Sequence, residues 1–183
     1  MKKLLLTLLL PLSIISSATY GEELNSLFGI TLNDNAEKYV SSNYIDSNKF
    51  KNTETIKGYF DLDIADKIKE KSPYVSKYKI TVDINNIVHS VYGQKDYANL
   101  SICQAVQETL LSTLEEKYNI DFEYWEPSFP EFKVYSHFHH TSSDDYFAIQ
   151  CNEDFEDSSI LLQIYLDTAV LGKATTDFYD SGL

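Results

Sequence analysis

The chain has 183 residues and a formal net charge of −13 at pH 7, with 28 acidic side chains against 15 lysines and no arginine. Phosphate groups are bound by clustered cationic side chains, so this balance argues against nucleic acid as a partner and disfavours anionic lipid surfaces. Basic proteins, cations and neutral glycans remain open as partners, although a high negative charge also simply keeps a protein soluble.

The first residues have the pattern of a secretory signal peptide. Two lysines precede an apolar run over residues 4–15, and Ser16, Ser17 and Ala18 are the small residues that a signal peptidase requires. We expect residues 1–20 to form this signal, with cleavage after Ala18. The run is too short for a stable membrane anchor, and no cysteine lies near the cleavage point for lipid attachment. Cleavage removes two lysines and no acid, which makes the chain more acidic, and a periplasmic or secreted protein results.

The two cysteines of the chain are Cys103 and Cys151. In an oxidising compartment we expect them to pair, and two free thiols or a metal pair are the alternatives. A disulfide closing the loop between them stabilises the fold by roughly 4 kcal/mol on the chain-entropy description. If they pair, neither is a nucleophile.

The first half of the domain contains one clear hairpin. We expect a short helix ending near residue 40, capped by Asn33 or Asp34, then a loop over 41–56 and a strand over 58–64. Apolar and polar residues alternate from Tyr78 to Ile84, and Asn85-Asn86 is suited to a tight turn. The returning strand is predicted to end at Gly93.

The most periodic segment predicts a helix from about residue 96 to 118. Its apolar residues recur at spacings of three and four and trace one face: Leu100, Cys103, Val106, Leu110, Leu114 and Tyr118. Asp96 or Asn99 is the expected cap, Gln107 is expected on the outer side, and Cys103 on the buried side.

The second half of the domain is predicted to be mostly strand. We expect strands at about 132–138, 146–151 and 159–166, and no regular element after Asp167. The fold class is therefore α+β: an antiparallel sheet of about five to six strands packed on one long amphipathic helix, with a short N-terminal helix. A single domain covers 21–172, and 173–183 form a flexible tail.

Histidines form the first candidate site. On a strand, His137 and His139 point to the same face, an arrangement that can bind Zn²⁺ or Cu²⁺. Asp144, Asp145 and, if its strand is a neighbour, His89 are the candidate further ligands. An exposed strand end without metal is the alternative.

The aromatic segment over 122–138 is the second candidate site. Tyr124, Trp125 and Phe129, flanked by glutamates, suit either stacking on sugar rings or anchoring a protein partner. The alternative is that these rings close one end of the core. Motifs for nucleophilic hydrolysis, metalloprotease zinc and phosphate-binding loops are absent from the sequence, so no catalytic residue is assigned.

Several segments resemble small exported bacterial α+β proteins of unknown function. They are LFGI at 27–30, a helix ending in EKYN at 116–119, a cysteine in that helix with a partner in a later strand, and the closing strand LLQIYLD at 161–167. The resemblance implies an α+β fold and no activity, and it transfers no functional residue.

These observations predict a non-enzymatic binding or protein-interaction module. One form is an inhibitor-like protein that presents Tyr124, Trp125 and Phe129 with acidic side chains to a basic partner. A first alternative is zinc or copper binding through His137 and His139. A second alternative is a glycan-binding or glycan-hydrolysing protein, and hydrolysis needs a cleft with two carboxylates.

Overall fold

The computed structural model describes residues 24–49, 56–68 and 71–180. The predicted signal peptide, residues 1–20, lies outside this part of the chain. None of the described helices is both long and apolar enough to cross a bilayer.

The described residues form nine strands and three α-helices. The strands are β1 (Ser26–Leu27), β2 (Ile30–Thr31), β3 (Tyr59–Asp63), β4 (Lys77–Asp83), β5 (Val88–Tyr97), β6 (Glu123–Trp125), β7 (Phe132–His140), β8 (Tyr146–Asp154) and β9 (Ile160–Asp167). The helices are α1 (Ser42–Lys49), α2 (Leu100–Tyr118) and α3 (Ala169–Asp180), and Ala36–Lys38 form a 3-10 turn.

Seven of the strands form one sheet in the order β3-β4-β5-β9-β8-β7-β6, and every neighbouring pair is antiparallel. The α+β prediction is confirmed, but the sheet is larger than the five to six strands expected. The additional strand is β6, which lies in the aromatic segment for which no element was predicted. Aromatic residues favour strands, and β6 pairs with β7 before Pro127 interrupts it.

The predicted hairpin is β4 and β5, joined through Asn86 at a positive φ of 64°. The prediction that β5 ends at Gly93 is wrong, because the strand continues to Tyr97. Gly93 serves a close approach instead: a Cβ atom there would lie 2.7 Å from two ring carbons of Phe28. The N-terminal hairpin of β1 and β2 therefore packs directly on the middle of β5.

Helix α2 is capped by Asn99, one of the two expected caps, and Asn99 Oδ1 accepts a hydrogen bond from the N–H of Ile102 at 3.0 Å. The helix is attached to β8 by the disulfide between Cys103 and Cys151. The expectation that Gln107 faces outward is wrong. Its side chain is buried, and Nε2 donates to the carbonyl oxygens of Tyr135 and Ile149, both at 2.8 Å.

Three local predictions need correction. The expected short helix is only the 3-10 turn, and its cap is Asn35, whose side chain accepts from the N–H of Glu37. Neither predicted cap serves: Asn33 takes a left-handed conformation at φ 63°, and Asp34 accepts from the side chains of Lys38 and Tyr39. Residues predicted as loop form α1, whose Ile45 is completely buried. Helix α3 forms where no element was expected, and its Ala169 N–H donates to Asp145 Oδ1 at 3.0 Å.

The sheet has two different faces. Phe147, Ile149 and Cys151 of β8 belong to the buried core on the face that carries α2. Because successive side chains on a strand point to opposite sides, Gln150 and Asn152 lie on the other side. We call that side the polar face.

Candidate functional site

A row of polar side chains crosses the polar face at right angles to the strands. Trp125 of β6 is paired with Ser136 of β7, Ser136 with Gln150 of β8, Gln150 with Gln163 of β9, and Gln163 with Gln94 of β5. Residues paired in this way have their side chains on the same side of the sheet. The antiparallel register therefore brings together residues that are far apart in the chain.

Hydrogen bonds join the amides of this row to one another and to two neighbouring side chains, Asn152 and Tyr92. Gln163 Oε1 accepts from Gln150 Nε2 at 2.6 Å and also from Asn152 Nδ2. Gln163 Nε2 in turn donates to the hydroxyl of Tyr92, and that hydroxyl donates to Gln94 Oε1 at 2.6 Å. We call these five residues the amide ladder. Each member is half-buried, so the ladder is held in place while part of it faces solvent.

An open groove of about 300 Å³ lies along the amide ladder. Its lining residues come from β7, β8, β9 and the turn before β9: Phe132, Val134, Gln150, Asn152, Asp154, Ser159, Leu161 and Gln163. A volume of this size is at the lower end of the range typical of small-molecule sites. Only one of these lining residues, Asp154, is acidic, and none of them is basic.

Large aromatic side chains surround the β6 end of the sheet. Tyr124, Trp125, Phe129 and Phe132 have exposed fractions between 37% and 55%, and we call them the aromatic end. The rings of Phe129 and Phe132 stack with centroids 4.6 Å apart. The loop between β6 and β7 is held by backbone hydrogen bonds, including Phe129 N–H to Phe132 O at 2.8 Å. These rings are therefore exposed on an ordered backbone.

The strand geometry separates two residues that the sequence grouped together. Tyr124 lies on the side of the sheet that carries α2, and its ring contacts that of His137 at a centroid distance of 4.9 Å. Trp125, the next residue of β6, lies on the polar face together with Phe132. Phe132 therefore lines the groove, Trp125 lies on the same face on the next strand, and Tyr124 forms the back of the aromatic end.

The charges at the aromatic end are predominantly acidic. Lys133 pairs with Glu126, which also accepts a hydrogen bond from the hydroxyl of Tyr124. These contacts, Lys133 first, lower the pKa of Glu126, and loss of solvation together with the Glu126 bond raises the pKa of Tyr124 to about 12. Glu126 is thus ionised and Tyr124 neutral at physiological pH, and the positive charge of Lys133 is balanced locally.

The two predicted metal ligands share a face of β7, as their spacing requires. His137 packs on Tyr124, and burial lowers its pKa, while His139 Nδ1 lies 3.0 Å from the carbonyl oxygen of Asp121. The described residues contain no group of three or more His, Cys, Asp or Glu side chains placed to hold an ion. Zinc or copper binding at these histidines stays a prediction.

Of the candidate further ligands, Asp144 and Asp145 lie in the turn that joins β7 to β8, whereas His89 lies on a distant strand. His89 is on β5, which is separated from β7 by β9 and β8, and its Nδ1 lies 3.0 Å from Thr168 Oγ1. Asp145 is buried and accepts from the backbone of α3. The condition under which His89 would join a site with His137, that their strands are neighbours, is therefore not met.

Sequence reasoning did not find the amide ladder. The signal available was that Gln150, Asn152 and Gln163 are polar positions within strongly alternating strands. That pattern shows that each strand has a solvent-facing side, but only the register shows that these side chains meet.

Comparisons of the chain with protein-family models, with curated proteins and with solved structures found no match. No residue role is therefore transferred from another protein. The groove, the amide ladder and the aromatic end are the features from which a function can be argued.

Proposed function

We propose that the protein is an exported, non-enzymatic binding protein that contacts its ligand through the aromatic end and the groove beside it. The observation that carries this proposal is the exposure of four large rings on one ordered end of the sheet. Folding normally buries such rings, and aromatic side chains left open on a rigid surface are typical of binding sites.

The rigidity of the surface supports binding without large rearrangement. The amide ladder is bonded within the sheet, and the β6–β7 loop is bonded to β7 through Phe129 and through Val134 N–H to Pro127 O at 3.0 Å. A surface that is already ordered loses little conformational entropy when a ligand binds.

The chemistry of the groove favours binding over hydrolysis. Glycoside hydrolysis requires two carboxyl groups flanking the bond that is cleaved. Of the described residues that line the groove, Asp154 alone carries a carboxylate, and its Oδ1 accepts backbone hydrogen bonds from Glu156 and Asp157 at 2.8 and 3.3 Å. Glycan binding therefore fits the groove better than glycan hydrolysis does.

Export is supported by two features. The sequence predicts a signal peptide over residues 1–20, and the structure contains the disulfide between Cys103 and Cys151. Disulfides persist in oxidising compartments and are rare where thiols are kept reduced.

A basic protein is the second candidate ligand, and the acidic character of the aromatic end favours it. Lys133 is paired with Glu126 there, Glu123 and Glu131 are exposed nearby in the chain, and the whole protein carries a net charge of −13. Complementary charge would speed the encounter with a cationic surface and make it dependent on salt.

Hydroxyl-radical footprinting of the purified protein tests the proposal before the ligand has been identified. The protein is labelled alone and in the presence of the exported fraction of its own cells, and oxidation is read at Trp125, Phe129 and Phe132. We expect protection of these three side chains. Val170, which is 61% exposed on α3, is the matched control and should be oxidised equally in both samples.

A second measurement removes the contact surface. The F129A and W125A variants change half-exposed side chains outside the core, so we expect both proteins to remain folded with the free energy of unfolding lowered by about 0.5–3 kcal/mol. Protection of the remaining aromatic residues should disappear in these variants. Equal oxidation with and without the exported fraction, or protection that both variants retain, would contradict the proposal.

A further inference from the structure

We infer that the groove on the polar face binds a neutral saccharide chain, with its sugar rings lying along the amide ladder and against Phe132 and Trp125. This inference rests on the proposed function, because it names the ligand class of the same surface.

The hydrogen-bonding groups of the groove match sugar hydroxyls. Each amide carries two N–H hydrogens, and the ladder uses one in Gln150, one in Asn152 and one in Gln163. The second N–H hydrogen of each of these amides can donate to a ligand. The lining also supplies acceptor oxygens in the side chains of Asp154 and Ser159. A hydroxyl group both donates and accepts, so a polyol can satisfy a surface that mixes donors and acceptors in this way.

The ladder also fixes where those donors point. Gln163 Oε1 accepts two hydrogen bonds, and its Nε2 is committed to Tyr92. Rotation of any one amide would break a bond to its neighbour and leave a half-buried polar group unpaired, which is unfavourable. Oriented donors distinguish between sugars by the positions of their hydroxyl groups.

The aromatic rings supply the other half of sugar recognition. Sugar rings have faces of C–H groups, which pack on the electron-rich face of an aromatic ring. Phe132 lines the groove itself, and Trp125 lies in the register row that leads through Ser136 to Gln150. Three strand spacings separate Trp125 from Gln163, a span of about 14 Å, which favours a chain over a single sugar.

The charge of the surface selects a neutral chain. The described lining contains no basic side chain, Asp154 is acidic, and the whole protein carries −13. Inside the groove, uronic acids, sulfated sugars and phosphates would meet the carboxylate of Asp154 with no cation in the lining to offset it. The lysines of this face, Lys77 and Lys79, lie on β4, beyond the far end of the ladder. A basic protein would be attracted by the charge, and binding of uncharged polymers distinguishes the saccharide from it.

Isothermal titration calorimetry and electrophoresis in polysaccharide-containing gels test the inference. The probes are soluble neutral glucan, mannan, galactan and xylan, and a polyuronate as the acidic counterpart. We expect at least one neutral polymer to bind and the polyuronate not to bind. Binding should also bury Trp125, the only tryptophan in the chain, and shift its fluorescence to shorter wavelength.

Two variants locate the site. Q163L removes the centre of the ladder while keeping side-chain volume, and L161W fills the groove without changing any ladder bond. Each should weaken binding at least tenfold. Q104L, which changes a half-buried glutamine on α2 across the sheet, is the matched control and should bind like the unchanged protein. Thermal unfolding of all three variants shows that they are folded.

The outcomes separate this inference from the proposed function. If no neutral polymer binds, or the polyuronate binds as well, or Q163L and L161W bind normally, the saccharide inference is wrong. If, in addition, the aromatic end is protected by a basic protein in the footprinting experiment, the proposed binding function stands with a different ligand. If neither saccharide binding nor protection is found, both are wrong.

Discussion

At the scale of single residues, burial disfavours the ionised form of the Asp167 carboxyl group. Its Oδ1 is buried and has no hydrogen-bond partner in the described part of the chain. Burial, with a smaller contribution from the negative charge of Asp61, raises the pKa of Asp167 to about 6, although a hydrogen bond from Ser90 opposes this. The folded protein therefore holds a proton on Asp167 over a pH range in which the unfolded chain has lost it.

This shift predicts the pH dependence of the D167N variant. Because the folded-state pKa is raised, the folded state binds more protons between about pH 4 and 6, and the free energy of unfolding falls as the pH rises through that window. Roughly two pKa units correspond to about 3 kcal/mol. The stability of D167N relative to the unchanged protein should therefore increase by about that amount from pH 4 to pH 7, as measured by urea denaturation.

The control for this prediction is D157N. A hydrogen bond from Ser159 lowers the pKa of Asp157, so its ionised form is favoured in the folded state and its substitution should not stabilise the protein as the pH rises. A difference between D167N and the unchanged protein that is constant from pH 4 to pH 7 would contradict the prediction.

Gly93 gives a second prediction at this scale. An added methyl group would lie 2.7 Å from the ring of Phe28, so G93A should lower the free energy of unfolding by about 1–3 kcal/mol through overpacking. The matched control is G172A in α3, where an added Cβ has no heavy atom within 4 Å. That change should stabilise by about 0.5–1 kcal/mol, because alanine favours a helix over glycine. If chemical denaturation shows that both substitutions change the free energy of unfolding equally, contact with the Phe28 ring does not destabilise G93A, and the prediction is wrong.

At the scale of elements, the disulfide determines how strongly α2 is held to β8. It joins residues 48 apart in sequence, and its reduction should lower the free energy of unfolding by roughly 4 kcal/mol. Urea denaturation with and without dithiothreitol measures the difference, and mass spectrometry confirms reduction. The C103A/C151A variant is the control, since the reductant should not change its midpoint. An unchanged midpoint after complete reduction of the native protein would contradict this prediction.

Helix α2 and the β4–β5 hairpin were predictable because their buried faces repeat with a regular period. Elements α1 and β6 were not predictable, because each is short and depends on tertiary contacts. Helix α1 is held by Ile45, which is buried in the core, and strand β6 is held by its pairing with β7. Gln107 was misplaced for a related reason. A glutamine at the edge of an apolar helix face is expected to point to solvent. Gln107 points inward because the buried carbonyl oxygens of Tyr135 and Ile149 accept hydrogen bonds from its amide, and only the packed structure shows where those carbonyl groups lie.

The candidate site was predictable only in part. The sequence identified Trp125 and Phe129 as exposed candidates because aromatics and prolines cluster there. It also placed Tyr124 with them, whereas strand alternation sends Tyr124 to the other side of the sheet from Trp125. The amide ladder depends on the register of three strands from two distant parts of the chain, and no local pattern encodes that register.

At the scale of the whole molecule, the net charge of −13 is expected to affect stability. Like charges repel one another in the folded state, and salt screens them over a Debye length that falls from about 30 Å at 0.01 M to about 8 Å at 0.15 M. Raising sodium chloride over this range at pH 7 should therefore increase the melting temperature, by about 2–4 °C for about 1 kcal/mol of relieved repulsion.

A charge-reversal variant separates this effect from other actions of salt. Glu108 and Glu116 are exposed on α2, away from the groove, and E108K/E116K makes the net charge less negative by four. Its melting temperature should be higher at low salt and should respond less to added salt. On the saccharide proposal, binding of a neutral polymer should be nearly independent of salt while stability is not. A melting temperature that falls with salt in both proteins would show that local ion pairs, such as Glu126 with Lys133, outweigh the overall charge.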